Sequence, residues 1–276
     1  MVAHLLRLRF RLLANSLTRS PWQAVAVVLG TMYGFFMLLL AVIGLFFLST
    51  APEEFGRTVT VLGGAVLVLG WTFLPLLSSG IDETVDPAKL ATFPIPITTL
   101  LIALAVSGVL GIPGIITTLA ALATSLVWWQ TPAIAIVAIF CAAIGTLTCV
   151  VGSRMLAALT VRMSSGRRAR EAKTVLVLIP LLLLGPAILA VSTLFRELRS
   201  LLPFISDIVA WTPFGAIWAV PGDLATGHPG VAALHALVGI ATLLAATGIW
   251  RWALDRALER PAASVSAARS QRGLGW

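Results

Sequence analysis

Long apolar runs separated by short polar connections dominate this chain. A bilayer core about 30 Å thick takes roughly 20 apolar residues of helix. Six stretches meet that length: residues 22–48, 59–77, 98–129, 132–156, 174–195 and 231–254. The third is overlong for one crossing at about 1.5 Å per residue. It contains Gly108, Gly111, Pro113 and Gly114, so a kink or break is expected near Pro113. Gly30 and Gly34 form a GxxxG pair in the first run, a spacing that lets helices approach closely.

Polar positions between these runs define smaller elements. In residues 2–19, His4, Arg7, Arg11, Asn15 and Thr18 share one narrow helical face. Leu6, Phe10, Leu13 and Leu17 share another, with Arg9 intruding near it. This predicts an amphipathic helix lying in the membrane interface, broken at Ser20-Pro21. The connection SGIDETVDPAKLATFPIP at 79–96 holds the densest acidic cluster, Asp82, Glu83 and Asp86. Asp86 before Pro87 reads as a helix start, and Pro94 and Pro96 end the helix. The two-turn element so bounded carries Lys89, Leu90 and Phe93. Residues 196–230 are mixed and divided by Pro203, Pro213, Pro221 and Pro229. Their apolar pieces, FISDIVAW and FGAIWAV, are too short to span and read as re-entrant or interfacial helices. Residues 261–276 are rich in Ala, Ser and Arg without apolar periodicity, and read as a flexible tail or linker. The domain plan is therefore a connecting helix at 1–21, a six-span domain at 22–260, and the tail.

Composition agrees. The chain has 276 residues, 59% apolar and 11% charged, with a mean hydropathy of +1.00. Soluble domains average about 45–50% apolar and about 25% charged. The fold class expected is an all-α membrane protein. The net charge of +8 need not mean nucleic acid, because its placement follows the positive-inside rule. With the N-terminus inside and the six runs alternating, sixteen Lys and Arg residues fall on the inner side. Only Arg57, Arg196 and Arg199 fall outside. Both termini are thus expected in the cytoplasm of a plasma-membrane protein, with no nucleic-acid partner. Trp22, Trp128, Trp129, Trp250 and Trp252 fall near predicted helix ends, where interfacial aromatics belong.

Candidate chemistry is sparse. Cys141 and Cys149 both lie in an apolar run, with neither a disulfide framework nor metal-ligand spacing, and read as small core residues. The sequence has no GxxxxGK[ST] loop, no HExxH and no GxSxG elbow. No catalytic or metal site is expected, and the substrate-binding residues are not identified. No Asp, Glu, Lys or Arg falls well inside the six predicted spans, which weighs against an ion-coupled transporter or proton pump. His235, near the outer start of the sixth span, is the single candidate for such a role. It reads first as an interfacial or helix-packing histidine. His228 reads as solvated. Any transport then draws its energy from elsewhere, and an ATPase docking on the cytoplasmic face is the simplest source.

The basic segment RLRFRLLANSLTRSPWQ followed by six spans resembles the permease subunit of the type-2 ABC exporter family. TRSPWQ, DETVDP followed by ATFPIP, and GIPG resemble a permease group of actinobacterial type. The resemblance covers essentially the whole chain. It implies that Asp82, Glu83, Asp86, Pro87, Lys89, Leu90 and Phe93 form the coupling element gripped by the ATPase. It likewise implies that Arg7, Phe10 and Arg11 belong to the connecting helix. ATP and Mg would then be held by separate ATP-binding cassette subunits, with no cofactor on this chain. A second permease half is implied as a partner, either another copy or the second half of a longer chain. The implied activity is outward movement of an amphipathic or apolar substrate by alternating access. Two other classes fit the residues: a non-transporting structural or regulatory subunit, and an ion-coupled secondary transporter.

Overall fold

The computed structural model describes residues 21–78, 97–163 and 195–272, all of whose regular elements are helical. In chain order these are α1 (Pro21–Leu48), α2 (Glu53–Ser78), α3 (Ile97–Val109), α4 (Ile112–Ala123), a 3₁₀ turn (Thr124–Trp128), α5 (Pro132–Met163), α6 (Phe195–Ala210), α7 (Ala216–Ala225) and α8 (Pro229–Arg272). Four of the described helices are long and apolar enough to cross a membrane, or five if the bent α3–α4 pair is one span. The predicted spans at 22–48 and 132–156 coincide with α1 and most of α5. Apart from Phe195, the span predicted at 174–195 lies outside the described residues. So do the predicted amphipathic helix at 2–19, with Arg7, Phe10 and Arg11, and the connection at 79–96 from Asp82 to Phe93.

Local chemistry sets the boundaries. α1 opens on Pro21, whose missing N–H is no loss in a first helical turn. It ends where the hydroxyls of Ser49 and Thr50 bond back to the carbonyls of Phe46 and Phe47. α2 starts at Glu53, six residues before the predicted start, with Glu53 and Glu54 in its first turn facing the positive end of the helix dipole. Arg57 therefore lies within α2, not in a loop as the sequence reading had it. The overlong third run bends by 73° between Val109 and Ile112. There Gly111 is extended and Pro113 stands in the first turn of α4. Gly114 is required at the bend, because a Cβ there would collide with the Gly108 carbonyl.

The segment expected to be a flexible tail differs from that expectation. α8 runs on through Pro261 to Arg272. Ala and Arg are among the strongest helix formers, and a helix already under way extends without a new nucleation step.

The core gathers around α7. Eight of its ten residues are buried, from Ala216 to Asp223, and it packs against α2, α5, α6 and α8. Trp218 is the wedge. Its ring lies over Gly64 of α2 and Gly145 of α5, and a Cβ at either glycine would overlap it. Cys141, Cys149 and Ile217 belong to the same apolar cluster. Gly239 of α8 likewise leaves room for Ile217. At the opposite end, Leu101, Val151, Ala246, Trp250 and Leu254 close a second cluster among α3, α5 and α8. Ser and Thr hydroxyls within the long helices, among them Thr72, Thr146, Thr148 and Thr242, donate to carbonyls one turn back. In an apolar surrounding this satisfies groups that water cannot reach.

The outside of the bundle is apolar too. α1 touches mainly α4 and the 3₁₀ turn, and exposes Val28, Leu29, Met32, Phe36, Leu39 and Phe47. Gly34 of the GxxxG pair receives Ile116 of α4, while Gly30 faces open space. Continuous apolar surface on this scale is foreign to soluble monomers and agrees with a multi-pass membrane protein.

Candidate functional site

Four polar side chains from four helices meet at one end of the bundle. Trp129 Nε1 donates to Ser49 Oγ there, and Leu48, Val127, Ile134 and Ala225 pack together. The turns α1–α2, 3₁₀–α5 and α7–α8 therefore share this end.

Asp223 is the hub. It sits near the C-terminus of α7 with 3% of its side chain exposed. Arg57 of α2 donates from Nε to Asp223 Oδ1 at 2.7 Å and from Nη1 to Asp207 Oδ1 of α6 at 2.7 Å. The guanidinium thus clamps two separate carboxylates. It is 15% exposed, whereas Asp207 is 64% exposed. His235 of α8, 1% exposed, lies with Nδ1 2.6 Å from the second oxygen of Asp223. A carboxylate can only accept, so Nδ1 carries the proton and donates.

Backbone features bring these groups together. The aliphatic stem of Arg57 lies against Gly222, where any Cβ would overlap it. Gly222 therefore lets α2 and α7 approach closely enough for the ion pair. α7 ends in a Schellman turn. The His228 N–H bonds to Asp223 O, the Gly227 N–H bonds to Leu224 O, and Gly227 has a φ of +79°. Pro229 then starts α8, and His235 reaches back to Asp223. Below the charges, Val61, Ala210 and Ala219 make a small apolar floor. Ser206 of α6 donates to Pro203 O and lies 3.5 Å from Thr58 Oγ1.

The indole of Trp211, in the turn after α6, stands 4.3 Å centroid to centroid from the His235 ring, at 58°. His235 Nε2 is buried and has no hydrogen-bond partner among the described residues. An Asp–His pair is part of a hydrolytic triad only if a nucleophile stands on Nε2, and among the described residues none does. No group of three or more metal-ligating side chains occurs among the described residues. What the arrangement can do is tie helices together and exchange a proton.

His235 was the one member of this cluster legible as a candidate. It does pack between helices, but through a charged hydrogen bond. His228 is exposed, as read, with Nδ1 3.2 Å from Thr226 Oγ1. Arg57 enters α2 by about one turn, short of the middle of the span, and the bundle holds it there because two carboxylates compensate it. Arg57, Asp207 and Asp223 were missed because Arg57 and Asp223 fell between the predicted elements and Asp207 stood as a single charge in a short interfacial piece. One signal was there: the predicted outer side collects an arginine, two aspartates and a histidine from distant segments. Comparison with protein-family models, curated proteins and solved structures finds no match for this chain.

Proposed function

We propose that this chain is the membrane-spanning permease subunit of an ATP-driven exporter, with both termini in the cytoplasm and the Asp223 end outside. The observation that carries the reading is the α6–α7 hairpin. A helix of ten residues, too short to span, is buried among α2, α5 and α8 directly before the last long helix. That is where the resemblance to type-2 ABC exporters expects re-entrant helices. The packing also supports six crossings. Val151 and Met155 of α5 belong to the cluster at the inner end, while Ser206 to Ala210 of α6 lie beside Thr58 and Val61 at the outer end. The C-terminal part of α6 thus lies at the opposite end of the bundle from the C-terminal part of α5, in keeping with the six-span reading.

In this reading ATP is hydrolysed on separate cassette subunits that grip the acidic element following α2. Asp82, Glu83, Asp86, Pro87, Lys89, Leu90 and Phe93 make the contact. α2 leads from that element to Arg57, so its tilt moves α7. The apolar spans suit an amphipathic or apolar cargo, and a second permease half completes the path. Replacing Asp82, Glu83 and Asp86 together by Ala tests the coupling. Membrane insertion should stay intact while cargo-stimulated ATP hydrolysis by the complex falls. Unchanged transport and hydrolysis rates would sink the assignment.

The buried Arg57–Asp223–His235 network favours a second reading, an ion-coupled transporter, because intramembrane ionisable groups mark ion paths. Its position weighs against this. Arg57 and His235 are four and six residues from the starts of α2 and α8, roughly 6 and 9 Å along each axis, far from a midplane.

A further inference from the structure

We infer that His235 is a proton-binding site, with Asp223 as its fixed counter-ion and Nε2 as the atom that takes up the proton. Two observations carry this. The first is the count of charge. Two carboxylates, Asp207 and Asp223, face a single guanidinium, Arg57. With a neutral imidazole the cluster holds one uncompensated negative charge, and one proton on His235 balances it. Among the described residues the charged groups around the ring are few. Asp223 of α7 touches it directly. Arg57 of α2 and Asp207 of α6 act through Asp223. Glu53 and Glu54 in the first turn of α2 are exposed and add negative charge at the same end. α5 carries no charged residue before Arg154. His228 is turned to Thr226.

The second observation is Nε2 itself, buried and, among the described residues, without a hydrogen-bond partner in a ring whose other nitrogen is committed. Nε2 is the ring's one remaining basic atom, so a second proton can bind only there. The Trp211 face suits the product, because an imidazolium beside an indole gains a cation–π attraction that a neutral ring lacks. Proton uptake turns the hydrogen bond between α7 and α8 into an ion pair. It also places the proton one helix away from the Arg57 clamp on α2 and α6. The site is a proton-dependent fastening of the α6–α7 hairpin, whichever energy source drives the protein.

The test is ¹⁵N NMR of the histidine rings in the full chain reconstituted in lipid nanodiscs. Resonances are assigned with His4→Gln and His228→Gln. The pH is lowered from about 8 to about 5, the window in which imidazoles change charge. His235 Nε2 should pass from a bare-nitrogen to an N–H resonance, with Nδ1 protonated throughout. Asp207→Asn removes the excess negative charge and should move that change to more acidic pH. A His235 ring that keeps one form while His228 changes overturns the inference. So does an Asp207→Asn transition that stays where the wild-type one lies. Asp223→Asn, if it folds, should abolish the change. The first two arms decide the matter without it.

Discussion

Asp223 satisfies one oxygen with a guanidinium and the other with an imidazole, and it has almost no access to water. Removing one partner of a buried pair leaves the other charge stranded, at about 3–5 kcal/mol. Arg57→Gln should therefore lower stability by about 3 kcal/mol, read as a loss of melting temperature in detergent or nanodiscs. Asp207→Asn removes the charge of the exposed carboxylate and should cost no more than about 1 kcal/mol. Equal losses in the two variants would mean that Asp223 is not the hub. Gly227 is the other demanding residue. Its φ of +79° strains any side chain by about 1–2 kcal/mol, so Gly227→Ala should weaken the α7–α8 turn by that amount in the same assay. Little of this was legible beforehand. Arg57, Asp207, Asp223 and His235 are separated by up to 166 residues in bonded pairs, and no local pattern announces which charges will meet. Nothing in the sequence around Gly222-Asp223 announces the contact, because the packing of Arg57 against Gly222 is a tertiary fact.

Elements with one-dimensional signals were legible. The limits of α1 follow from Pro21 and from the Ser49-Thr50 stop, and the break between α3 and α4 follows from Gly111 and Pro113. α7 was harder, because its ten residues, apolar but for Asp223, show no periodicity and gain their place from neighbours. Trp218 shows how. Its ring occupies the space that Gly64 and Gly145 leave empty. Gly64→Ala and Gly145→Ala should each cost about 1–3 kcal/mol by overpacking. Trp218→Leu, which frees the space, should make a second change at Gly64 nearly neutral. Additive losses in the double variant, measured as a thermodynamic cycle, would contradict the wedge. The start of α2 was misjudged because a transfer-based window discounts charged residues. Glu53, Glu54 and Arg57 nevertheless extend the helix, the first two on the favourable end of its dipole and the third through its carboxylates.

Across the whole molecule, the described helices make a bundle that is apolar outside as well as inside, tied at one end by charge and at the other by Leu101, Trp250 and Leu254. The sequence holds no GxxxxGK[ST] nucleotide loop, and the buried Arg57–Asp223–His235 network lies near the outer face in the proposed orientation. In the proposed reading the bundle's motor is a partner ATPase that grips the acidic element at 82–93 from the inner side. The most direct measurement is affinity purification of the tagged chain from its native membrane in mild detergent, with quantitative mass spectrometry of what accompanies it. An exporter permease should bring down a P-loop ATPase in about equal amount. A folded preparation that is reproducibly free of any ATPase would contradict the permease assignment and leave the Asp223–His235 network as the place to look for another role.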